Sequence, residues 1–207
     1  MRTEESVFDE TYRQYLQQVN NLSLGPIAGR LGAKFEKNRM RIPLLNNEYA
    51  LSGEGIFGPS GERPAFDICV ILSKYALLCP DTPPARHDWV SFRDFKDSAP
   101  LTNYFSKDVE GAIGSYFSGK LNGLKKAGDA LGGVAPDLDV AYDLALQFDA
   151  LPKIPLIMLY NDSDEDFAAT CSVLFESRAD KFLDPECLAM LGGQLFRHLR
   201  RAFKTGK

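Results

Sequence analysis

Apolar and polar positions alternate with a period of two in two parts of the chain, 39–44 and 142–148. This period is typical of a half-buried strand. Short apolar runs separated by glycine- and asparagine-rich turns follow the first strand and predict a small antiparallel meander up to residue 57. Because Pro43 cannot donate a backbone hydrogen bond, an edge position is expected for it. A turn at 151–153 leads from the second strand into the apolar run 154–160, and the two should form a hairpin.

Helical spacing of apolar residues is found in four segments, 4–19, 66–78, 100–131 and 185–199, with a further short helical turn expected over 24–31. The second segment is apolar almost all round, which predicts a helix enclosed by the rest of the fold. The third contains four glycines, Gly111, Gly114, Gly119 and Gly123. Each costs about 1 kcal/mol relative to alanine in a helix. Either this helix breaks in two or a neighbour packs tightly against it.

Helices and strands cluster along the chain instead of alternating, which favours an α+β fold over a doubly wound parallel sheet. We expect an antiparallel sheet, made of the small N-terminal meander and the C-terminal hairpin, packed with about four helices. No internal repeat and no long linker divides the sequence. A single domain over 1–207 is therefore predicted.

The charge and the apolar runs exclude some classes of function. A formal net charge of −4 gives no general attraction to nucleic acid or to an anionic membrane. The longest apolar stretch, 68–78, is far shorter than the ~20 residues that span a bilayer, and residues 1–5 show no apolar signal segment. The four cysteines have no Cys-x-x-Cys spacing. We expect a cytoplasmic protein with neither nucleic-acid nor membrane partners.

Gly53, Gly55 and Gly58 match the G-x-G-x-x-G pattern that cradles phosphate at the start of a helix. However, Pro59 and Gly61 follow where that helix would begin. Hairpin turns are therefore the better interpretation.

The segment 162–166 places aspartates at alternate positions, as a calcium-binding loop does. Phe167 stands where such a loop needs its turn glycine, and Val173 where it needs a bidentate glutamate. We therefore predict no metal site. Two alternatives stay open: a solvated acidic turn, or a cleft in which Asp164, Glu165 and Asp166 act as acid, base or metal ligands.

Trp89, Arg93 and Asp94 form a second candidate site, because a cation beside aromatic residues can hold an anion or a planar ligand. The alternative is a salt-bridged strand end beside a core tryptophan. A catalytic pair of Cys79 with His87 is also conceivable, although a buried structural cysteine is the commoner role.

Several stretches together resemble a family of uncharacterised bacterial domains found mostly in anaerobes such as sulfate reducers and acetogens. They are 30–33, the apolar helix that ends in Tyr75, 89–94, 154–157, 164–167, 174–175 and 182–186. The resemblance covers 24–199 and marks Trp89, Arg93, Asp94, Asp164, Glu165 and Asp166. Some members carry a four-cysteine iron–sulfur segment, which implies an accessory role in anaerobic metal or one-carbon metabolism. This sequence lacks those four cysteines.

Three hypotheses follow. The first is a cytoplasmic accessory domain without catalytic activity, which binds a small anionic ligand or a metalloprotein through Trp89, Arg93 and the acidic turn. The second is an enzyme that uses the carboxylates of Asp164, Glu165 and Asp166. The third is a structural subunit that oligomerises. The sequence leaves the cofactor and the oligomeric state open.

Overall fold

The computed structural model describes residues 4–82, 84–85, 88–139 and 141–206. The α-helices are α1 Glu4–Asn20, α2 Leu24–Leu31, α3 Phe66–Leu77, α4 Ala99–Tyr104, α5 Gly111–Phe117, α6 Leu121–Ala130 and α7 Pro185–Thr205. A π-helical segment, Phe105–Glu110, joins α4 to α5. The strands are β1 Lys34–Glu36, β2 Arg39–Leu44, β3 Asn47–Ser52, β4 Gly55–Phe57, β5 Trp89–Ser91, β6 Leu144–Leu151, β7 Ile154–Asn161 and β8 Thr170–Glu176. Two 3-10 segments, Phe92–Asp94 and Ser177–Lys181, follow β5 and β8.

The α+β class is confirmed, but the expected number of helices was too low. Since α4, the π segment and α5 run on without a break, the described part of the chain contains six helices. The short turn expected over 24–31 is the full helix α2, and the long segment expected from Pro100 is divided between two helices. Within the described residues, no helix is both long and apolar enough to cross a membrane.

The first sheet contains the predicted meander, β2 to β4, and one strand that was not predicted, β1. Its strand order is β1-β2-β3-β4, with antiparallel pairing throughout. Pro43 pairs with Glu48 of β3, whereas β1 pairs with β2 only as far as Arg41. Proline therefore has a strand neighbour on one side only, as its missing N–H requires. The glycines of the G-x-G-x-x-G pattern lie in and around the β3–β4 hairpin, and no helix starts there.

The second sheet has the order β5-β8-β7-β6 and is also antiparallel. It contains the predicted β6–β7 hairpin, extended by β8 and by β5. The fold thus has two four-stranded sheets where one composite sheet was expected. Strand β7 is buried along almost its whole length, as its apolar sequence indicates.

The two sheets and the helices share one cluster of buried apolar side chains. Leu45, in the β2–β3 turn, donates its N–H to the carbonyl of Ala150 in β6 at 2.9 Å. The Tyr75 hydroxyl of α3 donates to the carbonyl of Leu31 at 3.0 Å and accepts the N–H of Lys153 at 3.1 Å. These bonds join the meander, the central helix and the hairpin. The boundaries of a single domain over 1–207 stay a prediction.

Both explanations offered for the glycine-rich segment apply. The helix breaks at Gly119, which has a φ of +70°, a conformation that glycine adopts without strain. At Gly114 a neighbour packs tightly, since a Cβ there would lie 3.0 Å from the carbonyl oxygen of Ala169, just before β8. These glycines therefore bring the helix against the edge of the second sheet.

Candidate functional site

A cleft of about 250 Å³ lies beyond the end of β5, next to the part of β8 that does not pair with β5. Ser91, the last residue of β5, pairs with Leu174, and the chain then turns away into the 3-10 segment. Residues 170–173 of β8 therefore have no β5 partner along this edge. The cleft is lined by Ser91, Phe92, Arg93, Thr102, Phe105, Ser106, Glu110 and Ser172.

The side chain of Glu110 supplies a hydrogen-bond acceptor to β8 where β5 does not pair with it. Its carboxylate accepts the backbone N–H of Val173 in β8 at 2.9 Å, so this edge group is not left without a partner. Burial raises the pKa of Glu110, although the bond from Val173 and the charge of Arg93 act in the opposite direction. Glu110 thus takes up a proton more readily than an ordinary glutamate does.

Arg93 lines the same cleft from the 3-10 segment, and its side chain is exposed. Its carbonyl accepts the hydroxyl of Ser98 at 3.2 Å, which fixes the local backbone. Among the residues that the structure describes, no carboxylate forms an ion pair with its guanidinium. The cleft therefore presents a cation that has no ion pair within the described chain, although its charge acts on the nearby carboxylate of Glu110.

The floor of the cleft is aromatic. The rings of Phe92 and Phe105 stack with their centroids 4.4 Å apart, and both lie against Phe175 of β8. Ser91, Thr102, Ser106 and Ser172 also line the cleft, and the Thr102 hydroxyl donates to the carbonyl of Ser98 at 3.2 Å. A cation, a carboxyl with a raised pKa and further polar side chains beside an apolar surface suit a small organic anion.

The helix that carries Glu110 is irregular at this point. Phe105–Glu110 is π-helical, and π segments inside α-helices occur often at functional sites. At Gly111 a Cβ would lie 3.1 Å from the carbonyl oxygen of Ser106, inside the π turn. The π segment and the tight approach at Gly114 together place Glu110 within reach of β8.

Two other predicted residues lie near the cleft but have different roles. The carboxylate of Asp94 accepts the N–H of Ser91 at 2.9 Å and so holds the turn that carries Arg93. Trp89 is half-buried and pairs with Glu176, whose carboxylate forms a buried ion pair with Arg178 at 2.5 Å. Neither residue lines the cleft.

The acidic turn lies at the opposite end of β8. Trp89 pairs with Glu176, whereas the turn leads into Thr170. These positions are six steps apart along the strand, which is about 20 Å at the usual rise per residue. The structure therefore separates Trp89 from the acidic turn, so Trp89, Arg93 and this turn do not form one site.

Asp164, Glu165 and Asp166 are all exposed. The carboxylate of Asp164 accepts the N–H groups of Asp166 at 2.9 Å and Phe167 at 2.7 Å, so it stabilises its own turn. Carboxylates in contact with water lack the desolvated surroundings that acid–base catalysis uses. No group of three or more His, Cys, Asp or Glu suited to a metal ion occurs within the described part of the chain.

The cysteines divide into two groups. Burial raises the pKa of Cys69, Cys171 and Cys187, which keeps these thiols protonated. Cys79 is partly exposed, and its sulfur accepts the Nε–H of Arg30 at 3.4 Å. Its suggested partner His87 lies outside the described residues.

Glu110 was not identified from the sequence. No local motif marks it, because a lone glutamate on a helix usually faces solvent. The available signal is the pair Gly111 and Gly114, which follows it directly and indicates a close helix–sheet contact.

A family model described as Domain of unknown function (DUF3786) matches residues 23–198, which is most of the chain. A comparison with curated proteins finds no match, and neither does a comparison with solved structures. The expected resemblance to an uncharacterised domain family is thus confirmed, while an anaerobic origin and an iron–sulfur fusion stay predictions. The chain belongs to the DUF3786 family, a family of domains of unknown function.

Proposed function

We propose that the chain is an accessory domain that binds a small organic anion, such as a carboxylate, in the cleft between Arg93 and Glu110. The observation that carries this proposal is the guanidinium of Arg93, which shares a cleft with a desolvated carboxyl and has no ion-pair partner among the described residues.

The chemistry of the cleft favours a carboxylate ligand. A guanidinium can donate two parallel hydrogen bonds to one carboxylate. Glu110 in its protonated form can donate a third, and burial raises its pKa toward that form. Ligand pockets usually measure roughly 300–1,000 Å³, so a cleft of about 250 Å³ suits a ligand of only a few non-hydrogen atoms.

The proposal concerns binding and not catalysis, because the cleft contains one carboxyl and one cation but no pair of nucleophile and base within hydrogen-bonding distance. The physiological setting that we propose, an accessory role in anaerobic metal or one-carbon metabolism with a metalloprotein as partner, rests on the family resemblance alone. Placement in the cytoplasm belongs to the same proposal.

An NMR titration of the ¹⁵N-labelled full chain tests the cleft. Sodium acetate is the probe, and sodium chloride at equal ionic strength is the reference. We expect saturable shifts at the amides of Ser91, Ser106 and Val173. These shifts should be lost in Arg93→Gln and kept in Arg13→Gln, which removes an exposed arginine of α1.

Inorganic phosphate serves as a second probe and shows whether the cleft prefers a planar anion. The proposal is wrong if neither anion shifts the cleft amides more than chloride does. It is equally wrong if Arg93→Gln binds acetate as tightly as the unaltered protein.

A further inference from the structure

The acidic turn carries a large apolar side chain into solvent. Phe167 is 73% exposed, more than any other large hydrophobic residue of the described chain. The carboxylate of Asp164 accepts the N–H of Phe167 at 2.7 Å, and the N–H of Asp164 is bonded to the carbonyl of Phe167 at 3.0 Å. The turn is closed on itself, so the ring is held away from the core.

An apolar pocket of about 290 Å³ opens between α6 and α7. Gly123, Ala127 and Phe203 line it, and so does the exposed Lys126. Glycine is needed at 123, because a Cβ there would lie 2.3 Å from the ring of Phe203. The pocket is open to solvent on one side, and its volume exceeds the ~150 Å³ of enclosed apolar cavities that take up benzene, so a phenyl ring fits into it from outside.

We propose that two copies of the chain form a dimer in which Phe167 of each copy inserts into the α6–α7 pocket of the other. The charges at the two surfaces are complementary, since Glu165 and Asp166 precede the ring and Lys126 lies beside the pocket. Such complementarity fixes the orientation of partners. The interface is independent of the Arg93–Glu110 cleft.

The position of ring and pocket on the fold favours a second copy as the partner. Asp162, where the acidic turn begins, accepts the N–H of Gly119 at 2.7 Å. The pocket begins three residues further on, at Asn122. Because both features lie next to the α5–α6 junction, a two-fold axis nearby allows each copy to give its ring and receive the other.

Sedimentation velocity of the full chain over a range of concentrations tests this dimer. We expect the unaltered protein to dimerise, and Phe167→Ala to weaken the dimer at least about tenfold, because a phenylalanine side chain loses its burial. Lys126→Glu should weaken it through repulsion by Glu165, and the double variant Lys126→Glu with Glu165→Lys should restore it. All three side chains are exposed, so folding should be unaffected.

Val134→Ala is the matched control, since Val134 is 59% exposed and lies outside the acidic turn and the pocket. It should dimerise like the unaltered protein. An unaltered chain that stays monomeric at every concentration would overturn the proposal. So would a dimer that Phe167→Ala leaves intact, or one that the double variant fails to restore.

Discussion

Two carboxylates lie at the two ends of α5, and their pKa values shift in opposite directions. Glu110 lies before α5 and accepts the N–H of Val173 in β8. Asp162 comes from the end of β7 and accepts the N–H of Gly119, two residues beyond α5. Each joins the helix to the second sheet. The pKa of Glu110 is nevertheless raised, and that of Asp162 is lowered.

The number of hydrogen bonds explains the difference. Burial raises the pKa of both groups, but Asp162 accepts bonds from Gly119 at 2.7 Å, Ser163 at 2.9 Å and the Tyr160 hydroxyl at 3.1 Å, which together outweigh it. At Glu110 a single hydrogen bond and the charge of Arg93 do not outweigh the effect of burial on the pKa. Several hydrogen-bond donors thus stabilise the charged form of a carboxylate. A desolvated carboxylate with a single donor takes up a proton more readily.

The largest effect is expected from Asp162→Ala. This change leaves the N–H of Gly119 and the Tyr160 hydroxyl without their acceptor. Loss of these two hydrogen bonds, one of them from a buried tyrosine, should lower the free energy of unfolding by about 2–4 kcal/mol. Urea denaturation measures this. Asp164→Ala, in the exposed turn, is the control and should cost less than about 1 kcal/mol. Equal losses in the two variants would contradict the structural role of Asp162.

Substitutions of Glu110 should have an intermediate effect that depends on the replacement. Alanine leaves the N–H of Val173 without its partner and should cost about 1–3 kcal/mol. Glutamine keeps an acceptor oxygen and should cost under about 1 kcal/mol. The same denaturation assay compares the two. If glutamine destabilises as much as alanine, then the charge and not the hydrogen bond holds Glu110 against β8.

Most of the fold was predictable because its signals are local. The meander, the β6–β7 hairpin, α3 and α7 all follow from the period of their apolar residues. Strand β8 was missed although it carries a period-two signal, with Val173 and Phe175 buried and Ser172 and Leu174 less so. Its N-terminal half, Thr-Cys-Ser, is too polar for the sequence alone to indicate an inner strand of the second sheet.

The candidate site was less predictable because its members come from three separate elements. Arg93 was identified from its aromatic neighbours, and it does line the cleft. Glu110 and Ser172 become its neighbours only through the π segment and the close approach at Gly114. A π turn leaves no periodic signature in apolar residues that a sequence can show. Of the residues grouped by the family resemblance, Trp89 pairs with the last residue of β8, whereas Asp164 lies in the turn that precedes its first residue.

The smallest effect, and the most direct comparison of the two carboxylates, lies in the pH dependence of stability. Because the pKa of Glu110 is raised above its ordinary value of 4.5, the folded state binds this proton more tightly than the unfolded state does. Its stabilising contribution is present below pH 4.5 and is lost as the pH rises through the folded pKa. For Asp162 the sign is opposite: its contribution is present above its ordinary value of 3.8 and is lost as the pH falls through its lowered pKa.

Glu110→Gln and Asp162→Asn remove these two titrations one at a time. Urea midpoints of the three proteins, measured between about pH 3 and pH 8, should separate them. Relative to the unaltered chain, Glu110→Gln should gain stability as the pH rises above 4.5, and Asp162→Asn should gain it as the pH falls below 3.8. Because the two variants should differ from the unaltered chain in different pH ranges, each serves as the control for the other. A profile of Glu110→Gln that runs parallel to that of the unaltered chain above pH 4.5 would show that the pKa of Glu110 is not raised in the folded protein, and proton donation from Glu110 to a bound anion would lose its basis.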